Sequence, residues 1–206
     1  MNLLFFHGWS YDAEFFTDLA DTIAVKNSLF YNRGYYAPKN CPELHKDIEN
    51  IAITHSMGLY FLFADYDADQ FAKIIIINGF SDFSQMVSRR ALRRMMDGLG
   101  QNPQKILQDF SENAGDIRRS IPDLDKDSCL KLQKDLEILQ NHTINQNIDA
   151  YKGQIFHIHA ENDKIAPIDK SNINAFETYY VPEQNHVFSF HKDKKLINML
   201  KKWMWT

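Results

Sequence analysis

Four consecutive isoleucines, Ile74 to Ile77, constrain this chain more than any other feature. Successive strand side chains point to opposite faces, so a half-buried strand alternates apolar and polar residues. The run Lys73 to Asn78 does not alternate. It demands cover on both faces, which is the environment of a strand in a parallel sheet sandwiched by helices. The rest of the pattern agrees. Leu3–Phe6, Ser28–Tyr31, Ile51–Thr54, Gln154–His159 and Glu177–Val181 read as further short strands. Between them lie helical patterns. Ala13 to Ala24 carries Phe15, Phe16, Leu19 and Ile23 on one face behind the candidate cap Asp12. Leu59 to Ala64 is apolar all round and reads as a buried helix, and Lys192 to Trp203 gathers Leu196, Met199, Leu200 and Trp203. From Ser81 to Tyr151 only helical patterns occur. The expected architecture is therefore α/β: a mostly parallel sheet of about six strands flanked by helices. Residues 1–80 and 152–206 would form the core, with 81–151 a helical cap inserted after the strand at 73–78.

Composition narrows the function classes. With a formal net charge of -4 over 206 residues, the chain lacks the basic excess of a general nucleic-acid binder. Its two cysteines, Cys41 and Cys129, are far apart and in no metal-ligand spacing, so neither a disulfide framework nor a metal site is expected. The start, Met1 to His7, has no basic stretch ahead of a short apolar run, and no segment is long enough to cross a bilayer. The reading is of a soluble, cytoplasmic protein with no membrane partner.

Chemistry enters at Thr54-His55-Ser56-Met57-Gly58, between a strand and a helix. A tight strand-to-helix turn holds a serine hydroxyl clear of its own backbone and beside a helix N-terminus, the geometry of the G-x-S-x-G nucleophile elbow. Here Thr54 replaces the first glycine and Gly58 keeps the second. Serine is also an ordinary helix cap, so this pentapeptide decides nothing alone. His7-Gly8-Trp9 follows the first strand, where such folds place one oxyanion-hole amide; the backbone N–H groups of Trp9 and Met57 are the candidate pair. Asp163 follows the strand Gln154–His159, and His186 follows the strand Glu177–Val181. Asp82, after the isoleucine strand, competes with Asp163 for the role of acid. His157 and His159 read as structural. Nucleophile, acid and base thus fall in the order Ser56, Asp163, His186, each at the C-terminal end of a strand, which is the chain order of α/β-hydrolases.

The segments His7-Gly8-Trp9-Ser10, His55-Ser56-Met57-Gly58, Asp163-Lys164-Ile165 and Asn185-His186-Val187-Phe188 resemble the α/β-hydrolase esterases of biotin synthesis, which cleave the methyl ester of pimeloyl-acyl carrier protein. The resemblance covers the sheet portion and is loose in the cap. It implies a compact α/β-hydrolase fold, with the first strand at the start of the chain and no antiparallel hairpin ahead of it. It also implies Ser56, Asp163 and His186 as triad, Trp9 and Met57 as oxyanion donors, and no cofactor or metal. General carboxylesterases, thioesterases and menaquinone-pathway hydrolases or lyases share most of these motifs. A silent hydrolase-fold binding protein is the remaining alternative, favoured only by Thr54.

The cap carries its own signals. Arg89, Arg90, Arg93 and Arg94 fall on one helical pattern, and Arg118-Arg119 adds two more arginines, in a chain that is acidic overall. The acidic surface of an acyl carrier protein is the partner this resemblance implies, with the four helical arginines as the docking site. Trp9, Phe80, Phe83 and Met86 are candidate substrate-binding residues. Solvated arginines and ordinary cap core are the plainer reading of both groups.

Overall fold

The computed structural model describes residues 1–117 and 119–205. Six strands form one sheet: β1 (Asn2–Phe6), β2 (Ser28–Tyr31), β3 (Asn50–His55), β4 (Lys73–Ile77), β5 (Gln154–Ala160) and β6 (Glu177–Val181). The order is β2-β1-β3-β4-β5-β6 and every neighbouring pair is parallel. All six C-terminal ends therefore open on one rim.

The isoleucine run behaves as a doubly covered strand should. Ile74 and Ile76 enter one apolar cluster, together with Leu4, Phe6 and Ala52. Ile75 and Ile77 enter the other, with Leu3, Phe5, Ile51 and Ile53. Helix α2 (Gly58–Asp65) covers the first face. Helices α1 (Thr17–Ile23) and α7 (Lys194–Trp205) cover the second. Several element boundaries shift by a residue or more from the sequence expectation, and two helix starts show the cause. The segment expected as one helix from Ala13 begins as a 3-10 turn at Ala13–Phe16, because Asp12 accepts from the Glu14 N–H and tightens the start. The final helix starts at Lys194, where Asp193 Oδ1 accepts from the N–H groups of Lys195 and Leu196.

β4 and β5 are hydrogen-bonded neighbours, Lys73 beside Gln154, so the intervening chain leaves the sheet and returns to it. That excursion holds α3 (Arg89–Gln101), α4 (Pro103–Ala114), α5 (Lys126–Asn141) and α6 (Asn145–Ala150), and no strand among the described residues. Helix α5 is pinned to the segment that follows β2 by a polar cluster. Asp135, fully buried, accepts from Arg33 Nε at 2.9 Å, Arg33 Nη2 at 2.6 Å and the Tyr35 hydroxyl at 2.5 Å. Leu132 and Leu136 pack into the same apolar cluster as α2. No helix among the described residues is long and apolar enough to cross a membrane.

Candidate active site

Ser56 is the first residue beyond β3, and its backbone sits in the left-handed region at φ 54°. A non-glycine residue there costs on the order of 1–3 kcal/mol and persists only where its surroundings impose it. The imposition is visible. The Ser56 N–H extends the ladder to the Ile77 carbonyl at 3.0 Å, and α2 begins two residues later. Gly58 cannot be replaced cheaply, since a Cβ there would lie 2.2 Å from the Phe6 carbonyl oxygen. Room beside the serine comes from Gly8, whose Cβ would approach Ser56 Cβ to 3.1 Å. The elbow thus tolerates Thr54, whose fully buried side chain stays on the strand, because Gly8 and Gly58 supply the close approaches.

The His7-Gly8-Trp9 turn is held by a histidine with a readable tautomer. His7 Nε2 accepts from the Arg33 N–H at 3.0 Å, so Nδ1 carries the proton and donates to the Gly8 carbonyl at 2.8 Å. Burial, reinforced by Arg119 and Arg33 and opposed by the Gly8 bond, lowers the His7 pKa to about 4. A trans peptide points its C=O and N–H in opposite directions. Fixing the Gly8 carbonyl toward His7 therefore turns the Trp9 N–H away from it. Among the described residues, neither the Trp9 nor the Met57 backbone N–H has an acceptor within the protein, and both residues are buried. Met57 caps α2, where the helix dipole adds positive potential.

Asp163 and His186 meet. His186 Nδ1 lies 2.7 Å from Asp163 Oδ2, with both side chains buried. The other carboxylate oxygen accepts from the Ile165 and Ala166 N–H groups, each at 2.8 Å. Nδ1 donates to the carboxylate, which leaves Nε2 as the lone-pair nitrogen. Nε2 is buried and has no partner among the described residues. No hydrogen bond joins it to the Ser56 hydroxyl in this arrangement. Such contacts are commonly long until substrate is bound. Asp82 is spent elsewhere: it caps the 3-10 turn Phe83–Gln85, accepting from the Ser84 N–H at 3.0 Å and the Ser84 hydroxyl at 2.6 Å.

Sequence reasoning missed two groups. His55 lies with its ring centre 4.8 Å from the His186 ring, tilted by 51°, and bonds the His186 carbonyl through Nε2 at 3.0 Å. Burial, together with His186 and His7, holds its pKa well below the usual range, so it stays neutral. Asn78 bonds the same carbonyl at 2.7 Å. A buried polar residue ending a strand is a signal for such a role, but its target lies 108 residues away. His157 and His159 face each other on β5 at 3.2 Å, both lowered by burial, His157 to about 3.

A cavity of about 90 Å³ opens at Ser56, lined by apolar side chains that include Trp9, Phe80, Phe83, Phe110 and Leu136, with Lys164 at its wall. Trp9 is fixed there by its Nε1 bond to the Leu132 carbonyl and an edge contact with Phe110. Met86 packs on the same apolar cluster but does not line the cavity. A larger concavity, about 600 Å³, lies outside the His186 loop around Phe188, Phe190 and Lys192 and touches none of the three candidate residues. Arg89, Arg90, Arg93 and Arg94 are exposed at the start of α3, and none has an ion-pair partner among the described residues. Arg119 is not part of that surface. It turns inward, donating to the Ser10 hydroxyl and carbonyl and to the Tyr36 hydroxyl and lying 4.0 Å over the Tyr11 ring. Arg118 lies outside the described residues.

No family model and no curated protein matches this chain in sequence. Solved structures do match in shape. An esterase from Exiguobacterium antarcticum aligns over 100% of this chain and 92% of its own at TM-score 0.72 and 12% identity. A bromoperoxidase from Bacillus anthracis aligns with the same coverage at TM-score 0.75 and 12% identity. An enol-lactonase from Burkholderia xenovorans LB400 aligns over 99% and 91% at TM-score 0.73 and 11% identity.

Proposed function

From a chain with the α/β-hydrolase fold, we propose a serine-dependent hydrolase of carboxylic esters. One observation carries the reading. A histidine oriented by a buried carboxylate presents a free Nε2 at the rim where a left-handed serine heads a helix. In the proposed reaction His186 takes the Ser56 proton as Ser56 Oγ attacks the ester carbonyl. Asp163 keeps the imidazole in its Nδ1–H tautomer and stabilises the imidazolium. The Trp9 and Met57 N–H groups receive the oxyanion; one such donor is worth about 10²–10³ in rate. The alcohol departs with the proton from His186. Water, activated by the same nitrogen, then releases the acid and restores Ser56.

The finer reading is a carrier-borne acyl ester, of which pimeloyl-acyl carrier protein methyl ester in biotin synthesis is the specific candidate. The α3 arginines favour it. Cations at a helix N-terminus oppose the dipole, and Arg89/Arg93 and Arg90/Arg94 are like charges at i,i+4, each unfavourable by a few tenths of a kcal/mol or more. An arrangement that costs the helix stability is explained by an anionic partner. The test is hydrolysis of a short p-nitrophenyl ester and of the carrier-borne methyl ester by the purified protein. Release of acid from both supports the whole reading. Release from the small ester alone removes the carrier, and no hydrolysis of either removes the esterase.

A further inference from the structure

The His186 ring is fixed by Asp163, but the segment that carries it, between β6 and α7, has only one 3-10 turn for regular structure. Its backbone is tied on either side of His186, the Gln184 carbonyl accepting from the Asn162 N–H at 2.9 Å and the Val187 N–H donating to the Ala114 carbonyl at 2.8 Å, and also at His186 itself. The His186 carbonyl accepts from Asn78 Nδ2 at 2.7 Å and from His55 Nε2 at 3.0 Å. Asn78 is fully buried at the C-terminal end of β4, with φ 48°. It makes two further bonds. Its backbone N–H donates to the Ile158 carbonyl at 2.9 Å, and its Oδ1 accepts from the Ala160 N–H at 2.8 Å. One residue therefore ties together β4, the end of β5 three residues before Asp163, and the His186 loop.

We propose that Asn78 is a positioning residue: it sets the His186 backbone, relative to the strand end that leads to Asp163, so that Nε2 addresses Ser56. This rests on the ester-hydrolase reading above. The residue type follows from the demands on it. Asparagine is among the few non-glycine residues that enter the left-handed region readily. Its amide offers a donor and an acceptor at once. Aspartate would keep the acceptor for Ala160 and turn a lone pair toward the His186 carbonyl. Glycine would keep the backbone conformation and lose both side-chain bonds. A displacement of about 1 Å in a catalytic group costs on the order of 10²-fold in rate.

Two variants, Asn78→Gly and Asn78→Asp, test this through the rate of Ser56 acylation by a fluorophosphonate and the steady-state kinetics of a p-nitrophenyl ester. The measurement is made well below each variant's melting temperature. The proposal expects acylation and kcat to fall about 10- to 100-fold in both variants with KM within about threefold. Glycine, free in the left-handed region, keeps the fold accessible. Lowered melting temperatures with acylation rates within twofold of the unsubstituted protein would overturn the proposal, leaving Asn78 only a structural role. Loss in Asn78→Gly but an unchanged rate in Asn78→Asp would overturn it too, because the donor to His186 would then be irrelevant. If the unsubstituted protein does not react with the fluorophosphonate, the hydrolase reading fails first and takes this proposal with it.

Discussion

The rim of the sheet and the start of α3 treat polar groups in opposite ways. At the rim, His7, His55, Asn78, Asp163 and His186 are buried, and each makes at least one fixed hydrogen bond. At the start of α3, four arginines are exposed and unpaired among the described residues, and Arg89 and Arg90, in the first turn, are set against the helix dipole. Buried polar groups are costly unless satisfied, so the bonds these side chains do make hold one geometry. Exposed charges hold no geometry and serve encounter instead. On the proposed reading, chemistry belongs to the first region and recognition to the second, and the two should separate under substitution.

The largest separation is expected at Ser56. Ser56→Ala should lower kcat on a small ester by about 10⁴–10⁶ with the melting temperature little changed. Asp163→Asn should cost about 10⁴, since the amide no longer enforces the Nδ1–H tautomer. Asp82→Asn, at a local cap, should stay within about threefold, and an equal loss in both would erase the distinction between the two acids. The rim should also respond to acid as a whole. His7 titrates near 4 in the fold and at 6.5 when exposed. Between those values the unfolded chain binds a proton that the fold excludes, so stability falls as pH drops from 6.5 to 4 and levels off below. His7 alone accounts for about 3 kcal/mol across that window. His55, His157 and His159 shift in the same direction through burial and add to the loss. Thermal melts at pH 7 and pH 4 measure it, and an unchanged midpoint would contradict the buried-neutral account. The smallest effect belongs to α3. Arg90→Glu with Arg94→Glu should slow a carrier-borne ester about tenfold and leave small esters within twofold. The same pair should raise the melting temperature slightly, because acidic residues suit a helix start.

The fold was legible wherever periodicity and burial coincide. Ile74–Ile77 reads as a doubly covered strand because nothing but burial on both faces accommodates it, and the two apolar clusters divide its side chains evenly. The strand ends that bring Ser56, Asp163 and His186 to one rim were readable from chain order. The choice between Asp82 and Asp163 was not, because both follow strands. It depends on which carboxylate reaches the histidine: Asp163 meets His186 Nδ1 at 2.7 Å, whereas Asp82 caps its own turn through the Ser84 N–H. Longer-range pairings were hidden altogether. Arg119 sits beside Arg118 in sequence, yet turns inward to Ser10 and Tyr36, across 109 and 83 residues. Arg33 finds Asp135 across 102 residues. Asn78 acquires its three partners only when β4, β5 and the His186 loop have converged. A positive φ at a strand end leaves no trace in composition.

Whether the side chain at position 56 is a nucleophile is decided by covalent capture. The protein is treated with a fluorophosphonate, and the adduct is located by mass spectrometry of the intact chain and its peptides. One stoichiometric adduct is expected on Ser56, absent from Ser56→Ala and strongly slowed in His186→Ala. An unmodified chain, or a label on another residue that persists in Ser56→Ala, would contradict it.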